Sequence, residues 1–269
     1  MERDVAKLFL DLHHERQPLL LPNIWDAGSA KLMRSFGFDA LATTSSGHAA
    51  TLGRLDGSVT RDEALSHAAT IVAATDLPVS ADLENGFADD PQGVAETVEL
   101  ALATGLAGCS VEDFTDDPDD SIYDLDAARA RVAAAAQAAH RGPQTLVLTA
   151  RAENHIRGRP DLEDTITRLQ AYEEAGADVL YAPGLTSAGD IARVVRSVGK
   201  PVNVLARAGA PSITELGELG VSRVSVGGSF AFAALGELRE AAIELRDRGT
   251  YSFLESAGAG QRAVREAFD

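Results

Sequence analysis

The chain has one cysteine, Cys109, among its 269 residues. A lone thiol excludes an internal disulfide framework and any cysteine-rich zinc site. Positive charge is also in deficit: 24 Lys and Arg face 41 Asp and Glu, a formal net charge of -17. That balance opposes non-specific binding to nucleic acid or to anionic membranes, both of which draw on surplus Lys and Arg. It is compatible with a small anionic substrate, because a bound metal and one or two arginines reverse the field locally. No apolar run approaches the roughly 18 to 20 residues of a membrane span. The first seventeen residues interleave charges with Val5, Leu8, Phe9, Leu10 and Leu12. They read as an amphipathic helix over about 1–17 without a signal-peptide core, and a cytoplasmic protein is expected. Also missing are the phosphate-binding GxGxxG and GxxxxGK[ST] turns and the GxSxG nucleophile elbow.

What is present is a repeating unit. Eight apolar or β-branched segments alternate with helical stretches: Leu19 to Pro22, Asp39 to Thr44, Pro78 to Asp82, Gly108 to Glu112, Thr145 to Arg151, Asp178 to Ala182, Pro201 to Leu205 and Arg223 to Gly227. Strands alternating with helices imply a parallel sheet. Glycine turns at Gly37, Gly105, Gly176 and Gly220 close the helices before strands two, four, six and eight, as left-handed C-caps do. Eight units in a chain of this length favour one α/β domain over residues 1–269, a (β/α)8 TIM barrel, over an open doubly wound sheet. The segment from about 228 to 269 reads as extra C-terminal helices with a break at Gly258-Ala259-Gly260, long enough to pack on a neighbouring subunit.

In such barrels the chemistry sits at the C-terminal ends of the strands and in the loops beyond them. Those ends carry Thr44-Ser45-Ser46-Gly47, Asp56 in the following loop, Asp82 and Glu84, Glu112 and Asp113, Arg151 and Glu153, Asn203, and Ser225 with Gly227. Asp82 and Glu84 are two apart at the end of an apolar strand, so alternation predicts both on one face, where like charges call for a cation. Hard oxygen donors suit Mg2+, with Mn2+ as the alternative ion. The metal is expected at this pair, with Glu112 and Asp56 in the outer shell. Asp113, Glu153 and Asp116 read as solvated loop charges or helix caps, and His48 either as a surface or packing residue or as a catalytic one. The only lysines are Lys7, Lys31 and Lys200, the last at the opposite end of a strand, so imine chemistry is not expected. Cys109 is out of phase with Ser110 and Glu112 and should face the helices as a small hydrophobe.

These strand ends resemble the isocitrate lyase/phosphoenolpyruvate mutase superfamily over almost the whole chain. The matching stretches are Pro22-Asn23-Ile24-Trp25-Asp26-Ala27, Thr43-Thr44-Ser45-Ser46-Gly47, Leu52-Gly53-Arg54-Leu55-Asp56, Ala81-Asp82-Leu83-Glu84-Asn85-Gly86-Phe87, Val111-Glu112-Asp113 and Thr149-Ala150-Arg151-Ala152-Glu153. The resemblance implies that Asp82 binds Mg2+ directly while Asp56, Glu84 and Glu112 hold its waters. Arg151 would steady a substrate carboxylate or enolate, with Arg151, Glu112 and Asp56 as the catalytic set. Thr44, Ser45 and Ser46 would cradle the carboxylate, and Trp25, Asp26 and Asn203 complete the expected substrate contacts. The resemblance also implies a last helix exchanged between subunits of a homodimer or homotetramer.

Departures from the family pattern narrow the activity. Its lyases carry a Lys-Lys/Arg-Cys-Gly-His loop after strand four, where this chain has Asp113-Phe114-Thr115-Asp116-Asp117-Pro118-Asp119-Asp120. The Pro-Glu pair of methylisocitrate-type lyases is replaced by Ala182-Pro183-Gly184, and an acidic gate should repel a phosphonate. The expected activity is Mg2+-dependent carbon–carbon cleavage of a small 2-oxo or 2-hydroxy acid through an enolate, of oxaloacetate decarboxylase/hydrolase or methylisocitrate lyase type. The alternatives are a phosphonomutase or phosphonopyruvate hydrolase, and a non-catalytic sensor of 2-oxo acids.

Overall fold

A computed structural model describes residues 4–115, 117 and 121–268. Nine parallel strand segments, β1 Leu19–Leu21, β2 Asn23–Ile24, β3 Leu41–Thr43, β4 Val79–Asp82, β5 Gly108–Glu112, β6 Val147–Arg151, β7 Val179–Tyr181, β8 Val202–Leu205 and β9 Arg223–Ser225, form one sheet. Their order is β1-β9-β8-β7-β6-β5-β4-β3-β2. The helices are α1 Val5–Leu12, α2 Ala27–Ser35, α3 Ser45–Thr51, α4 Arg61–Val72, α5 Pro91–Leu102, α6 Leu125–Ala139, α7 Leu162–Glu174, α8 Ala188–Ser197, α9 Ile213–Glu218, α10 Ser229–Ile243 and α11 Leu254–Phe268. The architecture is the TIM barrel read from the sequence.

Nine segments arise from eight strands because the expected first strand, Leu19 to Pro22, is two pieces. Pro22 has no N–H to give to a neighbouring strand. Before it, β1 pairs with β9; after it, β2 pairs with β3. The carbonyl of Pro22 still accepts from Ala42 N at 3.0 Å. Asn23 closes the seam: its Nδ2 donates to the Thr43 carbonyl (2.7 Å), and its Oδ1 accepts from the backbone N–H groups of Val226 (3.0 Å) and Gly227 (2.8 Å). One buried amide thus ties both ends of the sheet together at the mouth.

The bottom of the barrel is plugged by α1, shorter than the expected 1–17 helix and capped by Asp4, whose carboxylate accepts from Lys7 N. Phe9 is fully buried among Leu19, Ala40, Ala107, Val147 and Val179 at the strand starts. Gly108 is required there, since a Cβ would stand 2.7 Å from the Val147 carbonyl and 3.0 Å from the Phe9 ring. Cys109 faces the helix layer, fully buried, and burial pushes its thiol up to about 12.

The C-terminal region is helical, with its break in a different place from the one expected. Gly258-Ala259-Gly260 lies within a continuous α11, and the chain instead turns after a single π-turn, 244–248, at Gly249 with φ 64°. The Glu244 carboxylate fixes the reversal by accepting from Thr250 Oγ1 (2.6 Å), Ser252 N (2.7 Å) and Ser252 Oγ (2.6 Å). Gly258 and Gly260 cost the helix only intrinsic propensity, about 1 kcal/mol each. Of α10 only Ala231 is buried, and α11 lies against α2, with Phe268 beside Gly28. Among the described residues no helix is long and apolar enough to cross a membrane.

Candidate active site

Two adjoining cavities open at the C-terminal mouth. The outer one, about 920 Å3, is walled by Asp56, Glu84, Glu112, Phe114, Arg151 and Arg157. The inner one, about 240 Å3, runs into the lumen past Thr44, Ser45, Ser46, Asp82, Arg151 and Asn203. Ser45, Asp56, Arg151 and Arg157 border both.

Arg151 is the hub. Register places it beside Glu112 on β5 and Tyr181 on β7. Its Nη1 donates to Asp82 Oδ1 (3.0 Å), its Nη2 lies 2.8 Å from Glu112 Oε2, and Nε and Nη2 donate to Glu153 Oε1 (3.0 and 2.8 Å). Burial works against the guanidinium charge, but Glu112, Glu153 and Asp82 outweigh it and raise the Arg151 pKa far above its ordinary value. For Glu112 burial dominates, and Glu153 and Asp82 add to it, so its carboxyl is pushed well above the usual carboxylate range despite Arg151. The two directions share a cause: three acids surround one arginine in a poorly hydrated place.

The cradle is built at the start of α3. Thr44 caps that helix through Oγ1, which accepts from Gly47 N (3.3 Å) and sits 3.1 Å from Ser46 Oγ. The N–H and hydroxyl of Ser45 both point to Asp82 Oδ2 (3.3 and 3.0 Å). Gly228 lets β9's exit approach this turn, because a Cβ there would stand 2.5 Å from Ser46 Oγ. Asn203 lies deeper, donating to Ser225 Oγ at 2.9 Å.

Several expectations need correction. Strand alternation does not carry Asp82 and Glu84 onto one shared site: β4 ends at Asp82, and Glu84 adopts φ 49° in a left-handed turn that aims it into the outer cavity while Asp82 lines the inner. Among the described residues no group of three or more His, Cys, Asp or Glu side chains is drawn together as a direct ligand shell. Asp113 and Glu153 are neither solvated nor caps. Asp113 is 3 % exposed, and its carboxylate accepts from Glu153 N (2.8 Å), Arg168 Nη1 (3.1 Å) and Tyr172 OH (2.5 Å). Glu153, 1 % exposed, orients Arg151 and Arg157. Trp25 and Asp26 are not brought to the mouth; Asp26 caps α2 through Ser29 N (2.6 Å), and both line an apolar groove between α2 and α11. Asp56 is exposed on the loop before α4 and borders both cavities. The loop after β5 begins as a hairpin, with Phe114 bridged to Ile122. Asp116, Pro118, Asp119 and Asp120, which carry the expected acidic gate, lie outside the described residues.

Three further arginines make contacts at the site. Arg157 reaches Glu153 Oε2 (3.2 Å) and stacks 3.5 Å over the Phe114 ring; its position four residues after Glu153 was the available signal. Arg131, on α6, donates to the carbonyls of Ala88 (2.6 Å), Asp89 and Asn85 and stacks 4.0 Å over Tyr123, so it clamps the turn that carries Glu84. Arg223, in the lumen, bonds Asn203. Nothing local in the sequence marks the last two.

The residues at the mouth fit a hydrated divalent cation. Asp56, Asp82, Glu84, Glu112 and Glu153 supply five carboxylates, with the two guanidiniums of Arg151 and Arg157 set among them. The donors are all oxygen, the choice of Mg2+, which keeps several waters.

Known proteins resemble this chain in sequence and fold. The profile of the family described as phosphoenolpyruvate phosphomutase matches residues 9–246. Uncharacterized protein Rv1998c of Mycobacterium tuberculosis (strain H37Rv) is 37% identical over 221 residues, 81% of each chain. A 2-methylisocitrate lyase of Halalkalibacterium halodurans is 30% identical over 206 residues, 75% of this chain and 67% of its own. A crystal structure from Burkholderia cenocepacia J2315, provisionally described as a lyase/mutase, superposes with a TM-score of 0.94 at 52% identity, covering 97% of this chain and 95% of the other. The chain therefore belongs to the phosphoenolpyruvate phosphomutase family, within the isocitrate lyase/phosphoenolpyruvate mutase superfamily of lyases and mutases, and it is an enzyme of that kind.

Proposed function

We propose that this enzyme is a Mg2+-dependent carbon–carbon lyase that cleaves a small 2-oxo or 2-hydroxy acid through an enolate, as a methylisocitrate lyase or an oxaloacetate decarboxylase or hydrolase does. The observation that carries this reading is the rigid Arg151, held by Asp82, Glu112 and Glu153 beside the Thr44-Ser45-Ser46 turn. The similarity to a 2-methylisocitrate lyase supports it. Asp82, with Glu84, Glu112 and Asp56 through water, would hold the ion. When bound, Mg2+ supplies positive charge for the enolate oxygen that develops as the bond breaks.

The chain's own groups do the rest. Hydroxyls at Thr44 and Ser46 bind the substrate carboxylate, while the N–H and hydroxyl of Ser45 position Asp82 through its Oδ2. Arg151 presents a fixed cation to the developing enolate; it needs no reorganisation, because Glu153 and the Tyr181 ring, 5.4 Å away, already hold it. Phe114 and Arg157 at the hairpin base limit water above the substrate. We further propose a homodimer or homotetramer assembled through α10, possessing the exposed apolar residues Phe232, Leu235 and Leu238, with the last helices exchanged between subunits.

The test is product analysis with 2-methylisocitrate, isocitrate, dimethylmalate, oxaloacetate and phosphonopyruvate in Mg2+. A C–C cleavage product from one of the first four is expected. Phosphate release from phosphonopyruvate alone would assign carbon–phosphorus chemistry instead, and oxalate binding without any turnover would assign a sensor.

A further inference from the structure

The barrel lumen contains a buried cation that no acid among the described residues contacts. Arg223 is 4 % exposed, and its guanidinium spans the interior. Its Nε donates to Asn203 Oδ1 (2.9 Å), its Nη2 to Thr149 Oγ1 (3.1 Å), and its Nη1 lies 3.2 Å from His13 Nε2. Strands β9 and β6 are not neighbours in the sheet, so the contact between Arg223 and Thr149 passes through the lumen.

All three partners are neutral. His13 Nδ1 lies 2.7 Å from the Phe9 carbonyl, which only accepts, so Nδ1 carries the proton and Nε2 accepts from Arg223. Burial and the adjacent Arg223 hold the His13 imidazole down at about 3, which keeps it uncharged. Among the described residues no carboxylate is in ion-pair contact with Arg223; its charged neighbour is Arg151, also a cation. An arginine has five N–H donors, and three are used here, leaving two. Burying an uncompensated charge is expensive in any protein, by several kcal/mol, and the usual remedy is a counter-ion.

There is room for one. Barrel interiors are ordinarily filled by layers of bulky branched side chains. Here the layers below the mouth carry Ala42, Ser80, Ser110 and Ser225, and the inner cavity continues past them to Arg223. Ser225, hydrogen-bonded to both Asn203 Nδ2 and the Tyr181 hydroxyl, lies on the same wall.

We propose that the lumen end of the inner cavity is an anion subsite, in which the free N–H groups of Arg223 take one small monovalent anionic group, a halide or a single carboxylate of a dicarboxylic acid. The subsite lies below the Arg151 cluster and stands whether or not the enzyme is a carbon–carbon lyase.

Crystals of the whole protein soaked in sodium bromide test this by anomalous scattering. A bromide peak beside Arg223 is expected in the wild type, weakened in Arg223→Lys and lost in Arg223→Met. A wild-type lumen without bromide overturns the proposal, as does an undiminished peak in Arg223→Met. The wild-type soak decides the matter even if Arg223→Met does not fold. A second soak with malonate and bromide together separates the sources: a malonate carboxylate displacing bromide at Arg223 makes the subsite part of substrate recognition, whereas bromide retained there makes it an inorganic-anion site.

Discussion

Arg151 Nη2 lies 2.8 Å from Glu112 Oε2, and the same nitrogen lies 2.8 Å from Glu153 Oε1. A single guanidinium therefore holds apart two acids that burial would otherwise leave in mutual repulsion, while keeping its own position at the mouth. Replacing it by Lys keeps a charge but loses the planar fork, so turnover is expected to fall by about 10²–10³-fold. Replacing it by Met leaves buried carboxylates uncompensated, a loss of about 3–5 kcal/mol. Added Mg2+ should recover part of that loss, because a second cation then serves the same acids. Steady-state rates and thermal melts with and without Mg2+ check both statements; an Arg151→Met protein as stable as the wild type in chelator would contradict the reading.

The Glu84 turn makes a second prediction. Glu84 (φ 49°) and Phe87 (φ 55°) are non-glycine residues in the left-handed region, a conformation costing about 1–3 kcal/mol each. Arg131 maintains it by taking the carbonyls of Asn85, Ala88 and Asp89. Arg131→Met should loosen the turn and weaken Mg2+ activation about tenfold or more, while substrate KM at saturating metal changes little. Equal loss in both parameters would show a general structural defect instead.

Much of this site was legible because strands two residues out of phase put different side chains at the mouth, and register does the rest. Asp82, Glu112 and Arg151 end β4, β5 and β6, and adjacent parallel strands carry them to one place. Glu84 was misplaced because alternation was extended one step past the strand's end, where a left-handed turn had taken over. Asp113 was misread because its partners, Arg168 and Tyr172, are on α7, more than fifty residues away. The same holds for Arg131 and Arg223, whose meaning is entirely tertiary. The split first strand could have been anticipated from Pro22, which has no N–H to give to a neighbouring strand and so interrupts the ladder.

His13 makes the pH prediction. It is 2 % exposed, and burial, then Arg223, lower its pKa from 6.5 to about 3. A depressed folded pKa means that the unfolded chain binds the proton more tightly. The stability is present in full above pH 6.5 and is lost as pH falls towards 3, by on the order of 4 kcal/mol at about 1.4 kcal/mol per unit. His13→Gln keeps an acceptor for Arg223 and removes the titration. Urea unfolding at pH 7, 6, 5 and 4 should show a shallower acid loss in the variant than in the wild type; parallel curves would place the protonation elsewhere.

The exposed face of α10 makes a prediction about assembly. Phe232, Leu235 and Leu238 are 51%, 45% and 64% exposed in the single chain. Light scattering should give a dimer or tetramer, and the triple change Phe232→Ser, Leu235→Gln, Leu238→Gln should shift the mass towards the monomer. A wild-type monomer would remove the proposed exchange of helices.

The central claim is that Asp82 and Arg151 act together on an enolate with a divalent ion. Its most direct test is Mg2+-dependent pyruvate formation from oxaloacetate and 2-methylisocitrate by the wild type, Asp82→Ala and Arg151→Ala, with free Mg2+ as the baseline for spontaneous decarboxylation. The account predicts wild-type turnover of one substrate that chelator stops and that both substitutions reduce to the baseline. Turnover that persists in Asp82→Ala, or that chelator leaves intact, would contradict it.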